Sequence, residues 1–436
     1  MANEDKYDIA VVGAGPAGMM AAGAAAESGA KVILLEKNNQ LGKKLLLTGN
    51  GRCNITNAES DLRKLVENYG EDGKFLFRAF FVFGPEKVID FFEGLGVKTK
   101  IVPTKSRILD DKAIGKNGNR VFPASEKVAD VLNALKKYLL KNKVNICLNS
   151  RVSRVIRKSN KIEKLIAGDK EIIAKKYIFC VGGKSYPATG STGDGFKWAS
   201  DLGHSVSELS PALTPIKLKE DWAKELRGLA LNDVKISVFK NNKKYIQEIG
   251  DVLFTHFGFS GPAILNISKK IGELLKQGLP AGQAGEVKLY LDLFPNFGIE
   301  NLAEKIQEKI AKNPKKSLKN LLTDFMPQRL IPVFIKNLGL EADRQASNLA
   351  KKEREAIAKL LKNIEVVATE LLGFNSAMAT SGGVLLKEID DKTMKSKIID
   401  NLFFAGEIIN IDGRTGGFNL QACWSTGYLA GKSAAN

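Results

Sequence analysis

The chain's 436 residues exceed one typical core, so two or three domains are expected, and its 44% hydrophobic and 26% charged residues are those of a globular protein. Four cysteines without a CxxC pair, together with only two histidines (His204 and His256), argue against a dithiol enzyme, a zinc site or a His-based metal centre. The unusual number is a formal net charge of +18, concentrated in residues 101–200, where 21 Lys/Arg face 8 Asp/Glu. Such a surplus is either a solvated basic surface or a seat for a partner rich in phosphates, such as RNA. The longest apolar run, "AGMMAAGAAA", is too short to span a membrane, and no signal-like run follows the acidic "MANEDKYD". A cytoplasmic protein with no membrane partner is expected.

The first predicted elements lie in "YDIAVVGAGPAGMMAAGAAAESGAKVILLEK". Tyr7–Val12 is an apolar, β-branched run that predicts a buried parallel strand. Gly13-Ala14-Gly15-Pro16-Ala17-Gly18 follows, then a helix of small residues to about Ser28 and a second strand over Lys31–Leu35 that ends in Glu36. Gly13 permits a tight turn, Gly15 lets the backbone approach a pyrophosphate, and Gly18 lets the helix lie close to the strand. The helix N-terminus offers N–H groups to phosphates. Glu36 is placed to accept from a ribose and would repel a 2′-phosphate. This much predicts a dinucleotide without saying whether it is NAD or FAD.

The next stretch, "GKKLLLTGNGRCNITN" (42–57), decides between them. A plain NAD enzyme would continue into another helix, whereas this glycine-broken loop can reach back over the same ligand. FAD is long and needs contacts from several segments. Lys43 and Lys44 can neutralise phosphate, and Gly49 and Gly51 let backbone sit against a flat ring. Arg52, Asn54 and Asn57 can bond flavin oxygens or a substrate carbonyl. Cys53 has two readings, a proton donor near the flavin or a small buried apolar residue.

Further along, "CVGGKSYPATGSTGDGF" follows the apolar strand Tyr177–Val181. Gly182-Gly183 is where the chain is expected to cross the cofactor, and Asp194 either caps the next helix or touches the cofactor. Residues 205–295 alternate short apolar runs with turns, predicting a β-rich substrate domain. Residues 299–362 show helical spacing, broken at Pro314. A strand over Asn401–Ala405 leads to Gly406-Glu407, a turn at Gly416-Gly417 and a final helix from about Asn419. Glu407 can hold ribityl hydroxyls while the helix N-terminus faces the flavin N1–C2 edge; the alternative is a glycine turn that merely caps the helix. No second GxGxxG follows a strand, so NAD(P)H is expected only as a transient electron donor.

These motifs resemble the FAD-binding flavoprotein family called BaiN-like or aminoacetone-oxidase-like, within the NAD(P)/FAD-dependent oxidoreductases. The resemblance rests on residues 42–57 and on "NRVFPAS" (119–125), "VGGKSYPATGSTGDGF" (181–196), "LFTHFGFSGPAIL" (253–265), "TSGGV" (380–384) and "FFAGEIINIDGRTGGFNLQACWSTGYLAG" (403–431). The sequence departs from the family at Asn410, where Asp is usual, at Arg414, where Pro is common, and at Phe418, where Tyr is usual. The resemblance implies an α/β fold: a Rossmann-like FAD-binding domain of the glutathione-reductase type with an inserted β-rich domain and an inserted helical domain. The corresponding boundaries are 1–200 plus 396–436, 201–295 plus 363–395, and 296–362.

The candidate cofactor-binding residues are Gly13, Gly15, Pro16, Ala17, Gly18, Glu36, Lys37, Lys43, Lys44, Thr48, Gly49, Asn50, Gly51, Arg52, Cys53, Asn54, Val152, Gly182, Gly183, Gly406, Glu407, Gly416, Gly417, Phe418 and Asn419. Arg52, Cys53 and Asn54 are also the catalytic candidates, and no metal is expected. The resemblance further implies reduction of a C=C bond conjugated to a carbonyl, in an unsaturated 3-oxo steroid or in a uridine of large-subunit ribosomal RNA. Oxidation of a small amine and a non-catalytic RNA-binding role for the flavoprotein are the alternatives. The charge surplus favours RNA, since a small neutral steroid gives no reason for it. Lys105, Arg107, Lys112, Lys116 and Arg120 surround the "NRVFPAS" motif, and Arg151, Arg154, Arg157 and Lys158 follow, as the expected RNA contacts.

Overall fold

The computed structural model describes residues 7–103, 119–277 and 286–436. Lys105, Arg107, Lys112 and Lys116 lie outside the described residues. Two units emerge: residues 7–103, 119–212 and 373–436 form the first, and 213–277 and 286–372 the second.

The first unit is built on a five-stranded parallel sheet. Its order is Leu402–Phe404, Ala174–Phe179, β1 (Tyr7–Val12), β2 (Val32–Leu35) and Asn145–Cys147. β2 is buried at all four positions and β1 at all but Asp8, as strands covered on both faces must be. The helix α1 (Pro16–Glu27) joins β1 to β2, and its residues Ala17–Ala25 are buried. Its small side chains allow the C-terminal helix Phe418–Ala435 to lie backbone to backbone against it. A Cβ at Gly427 would stand 2.4 Å from the Ala17 carbonyl oxygen, and one at Gly431 2.3 Å from that of Ala21. The last segment of the chain is thereby locked onto the first glycine loop.

Three small sheets complete this unit. Thr56–Asn57, Arg120–Pro123 and Thr99–Val102 form one, and the hairpins of Val152–Lys158, Lys161–Ala167 and Lys170–Ile172 another. The third pairs Ser210–Ala212 with Ala379–Ser381 and moves the boundaries from their expected places. Residues 201–212 and 373–395 join the nucleotide-binding unit because this pairing, and the burial of Leu202, Val384, Ile389 and Met394 in its core, tie them there.

The second unit is a closed antiparallel barrel of six strands, Ile216–Leu218, Gly258–Ser260, Lys243–Phe254, Ala230–Lys240, Val287–Asp292 and Ile364–Leu371. The β-rich character expected of residues 205–295 takes the form of a barrel from Ile216 onward, while Ser210–Ala212 pairs in the first unit. Residues 299–362 are helical, and the helix Ile299–Lys312 stops just before Pro314. These helices do not form a body of their own: Leu302, Ile306, Ile357 and Leu361 share one core with barrel residues such as Val238 and Val366. Among the described residues no helix is long and apolar enough to cross a membrane.

Candidate active site

A cleft opens at the C-terminal ends of β1, β2 and the strands Ala174–Phe179 and Leu402–Phe404, where ligands of open parallel sheets bind. Every residue lining it belongs to the first unit. The three loop glycines divide the work there. Gly13 has φ +95°, and a Cβ on it would lie 2.6 Å from the Cys180 carbonyl oxygen. A Cβ on Gly18 would lie 1.8 Å from the Gly13 carbonyl oxygen. Both glycines are demanded by packing. A Cβ on Gly15 would meet nothing within 4 Å, so this position is left open toward the cleft. No side chain caps α1 at Gly15, which leaves the positive end of the helix available to an anion.

Glu36 is buried at the end of β2 and holds the loop in place. One carboxylate oxygen accepts from the Ala14 N–H at 2.8 Å, the other from the Asn38 N–H and Nδ2 at 2.8 Å each. The oxygen that meets Ala14 keeps acceptor capacity for a further donor. Lys37 donates to Thr192 Oγ1 at 2.6 Å and pairs with Asp194 at 3.0 Å, and Arg151 stands 3.7 Å from the same carboxylate. Asp194 opens the helix Asp194–Asp201, but its side chain serves this ion pair. Burial raises its pKa, and Lys37 with Thr192 outweighs burial, so the carboxyl sits below its ordinary value.

On another wall Lys44 lies 2.7 Å from Glu407 and also bonds the Ser185 hydroxyl. The second oxygen of Glu407 accepts from Ser185 Oγ at 2.9 Å and from the Thr380 N–H at 2.7 Å. Burial pushes this carboxyl up, but Lys44 and the hydrogen bonds carry it below the usual carboxylate range. Ser185 and Thr380, which support the Glu407 carboxylate, are positions that residue-by-residue reading missed. Both lie inside quoted motifs, yet only the fold joins them.

The predicted residues separate into two groups. Gly13, Gly15, Pro16, Ala17, Glu36, Lys37, Lys43, Lys44, Val152, Gly182, Gly406 and Glu407 line the cleft. Gly18 and Gly183 lie outside its lining; a Cβ on Gly183 would stand 2.4 Å from Thr380 Oγ1. Thr48, Gly49, Asn50, Gly51, Arg52, Cys53 and Asn54 also lie beyond it, where the second loop turns away through Leu45–Gly51 and pairs Thr56–Asn57 with Arg120–Pro123. Arg52 is exposed, its guanidinium 5.0 Å from the centre of the Phe122 ring. Cys53 is wholly buried in the core, and burial pushes its thiol up to about 12 against a weaker opposing hydrogen bond with Thr48.

Gly416 and Gly417 pack beside this same loop. Asn57 Nδ2 donates to the Gly416 carbonyl at 3.1 Å, and a Cβ on Gly417 would stand 2.5 Å from the Thr56 carbonyl carbon. Asn419 is occupied in closing its own turn through the Gly413 N–H at 2.9 Å and carbonyl at 2.8 Å. The Phe418 ring is buried edge-on against Tyr69, whose hydroxyl donates to the Phe418 carbonyl at 2.7 Å. Near this junction Asn54 Oδ1 and Asn57 Oδ1 are buried acceptors without a hydrogen-bond partner among the described residues. Orphaned acceptors of this kind call for a donor. Both atoms are closed off from the cleft, so the fit to a dinucleotide rests on the open cradle at Gly15 and the uncapped helix end beside it.

A parallel dinucleotide-binding sheet, a cleft with an anion-ready helix end and a C-terminal segment folded back over the same loop define an FAD-dependent oxidoreductase. More particularly, residues 7–433 match the HI0933-like protein Rossmann domain family, and the chain belongs to it. It is 31% identical over 429 residues to the 3-dehydro-bile acid delta(4,6)-reductase of Clostridium scindens, covering 98% of each chain. It is 27% identical over 431 residues to the ribosomal RNA dihydrouridine synthase of Escherichia coli, covering 97% of each. Its fold is similar to that of the 3-ketosteroid-delta4-(5alpha)-dehydrogenase of Rhodococcus jostii, with a TM-score of 0.55 at 17% identity over 100% of this chain and 98% of that one.

Proposed function

We propose that the protein reduces a carbon–carbon double bond conjugated to a carbonyl, with a uridine of large-subunit ribosomal RNA as substrate and NAD(P)H as the transient electron donor. The observation that carries the choice of RNA is the charge, 21 Lys/Arg against 8 Asp/Glu over residues 101–200. One named relative acts on ribosomal RNA and another on a bile acid, and both reactions saturate a bond of this kind. FAD, when bound and reduced, supplies the hydride for the β-carbon. The protein's part is to hold the cofactor by the open loop at Gly15, Glu36, Lys44 and Glu407, to exclude water, and to polarise the carbonyl.

The α-carbon also needs a proton, and Cys53 is poorly suited to give it. A thiol held near 12 inside an apolar core keeps its proton and faces no solvent. The packing reading of Cys53 therefore leads. Cys53→Ala is expected to keep turnover within about twofold of wild type while costing about 1 kcal/mol of stability through lost packing. Steady-state rates alongside thermal melts check this, and a collapse of turnover with FAD retained would restore Cys53 as the donor.

The decisive assay supplies FAD-loaded protein and NADPH or NADH with either unmodified large-subunit RNA or a free 3-oxo-4-ene steroid. Mass spectrometry of the digested RNA should find uridine carrying two added hydrogens. If the steroid is reduced and the RNA is untouched, the RNA reading fails. The second reading, a small conjugated ketone, then stands on the 31% identity to the bile-acid reductase.

A further inference from the structure

Outside the cleft, the first unit carries an open groove. The helix Val128–Lys141 forms one wall, and the turn Leu95–Lys98 with Ala124–Ser125 forms the other. Asn133, Lys136, Lys137 and Leu140 recur at three- and four-residue spacing and make the outward stripe of that helix, whose opposite face is buried. Lys98 joins them from the facing wall. Among the described residues, none of these three lysines has an ion-pair or hydrogen-bond partner for its ammonium. Some other surface lysines are paired: Lys100 is neutralised by Glu126 at 2.7 Å and Lys164 by Glu171 at 2.7 Å. The groove's one carboxylate, Asp130, accepts from the Ser125 hydroxyl at 2.6 Å.

Three like charges left facing one groove repel each other until an anion enters. We propose that this groove seats the phosphodiester backbone of a structured RNA. The inference rests on the RNA reading above and locates its contact. Lysines on flexible stems suit a sequence-neutral phosphate contact, and the exposed Leu140 offers an apolar surface to a sugar. In the basic run after residue 150, Arg157 already donates to the carbonyls of Ser159 at 2.6 Å and Leu202 at 3.0 Å, and Arg151 stands 3.7 Å from Asp194. Arg154 and Lys158, by contrast, are exposed and can add phosphate contacts of their own.

The test compares wild type with the Lys98→Gln/Lys136→Gln/Lys137→Gln variant, binding a fluorescent large-subunit RNA fragment across a salt series. A Lys98→Glu/Lys136→Glu/Lys137→Glu variant serves as a stronger perturbation if it folds. Each phosphate contact contributes roughly 0.7–0.9 to the slope of log affinity against log salt. The Gln variant should flatten the wild-type slope by about two while keeping its flavin absorbance and melting midpoint. An unchanged slope overturns the groove and leaves the RNA reading intact. Wild type that binds no RNA even at low salt overturns both. Equal displacement of the RNA by poly-glutamate would also overturn the proposal, in favour of an acidic protein partner.

Discussion

Gly15→Val should yield a folded protein without yellow colour. Gly15 has φ −75° and ψ −174°, an extended conformation that any residue adopts, and a Cβ there meets no atom within 4 Å. The fold itself therefore has no quarrel with a side chain at this position beyond the roughly 1 kcal/mol of a poorer helix N-cap. The valine methyls instead fill the open face of the loop, where backbone must approach a pyrophosphate. Flavin absorbance should be lost and far-ultraviolet circular dichroism kept, with the melting midpoint lowered mainly by the missing ligand's contribution. Gly18→Val gives the contrast. Its Cβ would stand 1.8 Å from a backbone oxygen, which no side-chain rotation can relieve, so that variant should be insoluble or unfolded. Stoichiometric FAD in purified Gly15→Val would overturn the assignment of the cleft.

How far each feature could be read beforehand follows from how local its cause is. β1, α1, β2 and Glu36 were legible because hydrophobic runs, glycine spacing and an acid at a strand end are encoded within one short segment. The loop at 42–57 was legible only in its first half. Lys43 and Lys44 do line the cleft, but from Thr48 the chain leaves it, runs over the surface at Gly49, Asn50 and Arg52, and enters the core at Cys53, because Thr56 and Asn57 pair with Val121 and Arg120. Nothing inside the loop announces that distant partner. The same holds for Ser185 and Thr380, which meet across 195 residues of sequence. At Asn419 the side chain closes a local turn instead: a carbonyl and an N–H six residues back engage it. Domain boundaries moved because a strand of three residues, Ser210–Ala212, is too short to show a period and is defined only by its pairing.

Lys44→Met should produce the largest electrostatic effect in the molecule and invert the acid dependence of stability. In wild type, Glu407 is charged beside Lys44 at 2.7 Å, and the two side chains are only 18% and 23% exposed. Its pKa in the folded protein lies below the ordinary 4.5. A depressed carboxyl contributes stability that is fully present above its unfolded value and is lost as the pH falls through the folded one. Removing Lys44 leaves only the Ser185 hydroxyl and the Thr380 N–H as donors, so burial becomes the dominant influence and lifts the pKa above 4.5. The charged carboxylate then destabilises the fold at neutral pH, by about 3 kcal/mol at the lower end for breaking a buried pair. Acidification toward about pH 5 should restore part of that loss, where wild type shows no such gain. The double variant Lys44→Met/Glu407→Gln removes the stranded charge, and should recover stability at pH 7 and lose the pH dependence. Melting curves of the three proteins from about pH 4.5 to 8 decide the matter. A Lys44→Met protein with wild-type stability and a wild-type pH profile would mean that Glu407 is already satisfied without its lysine.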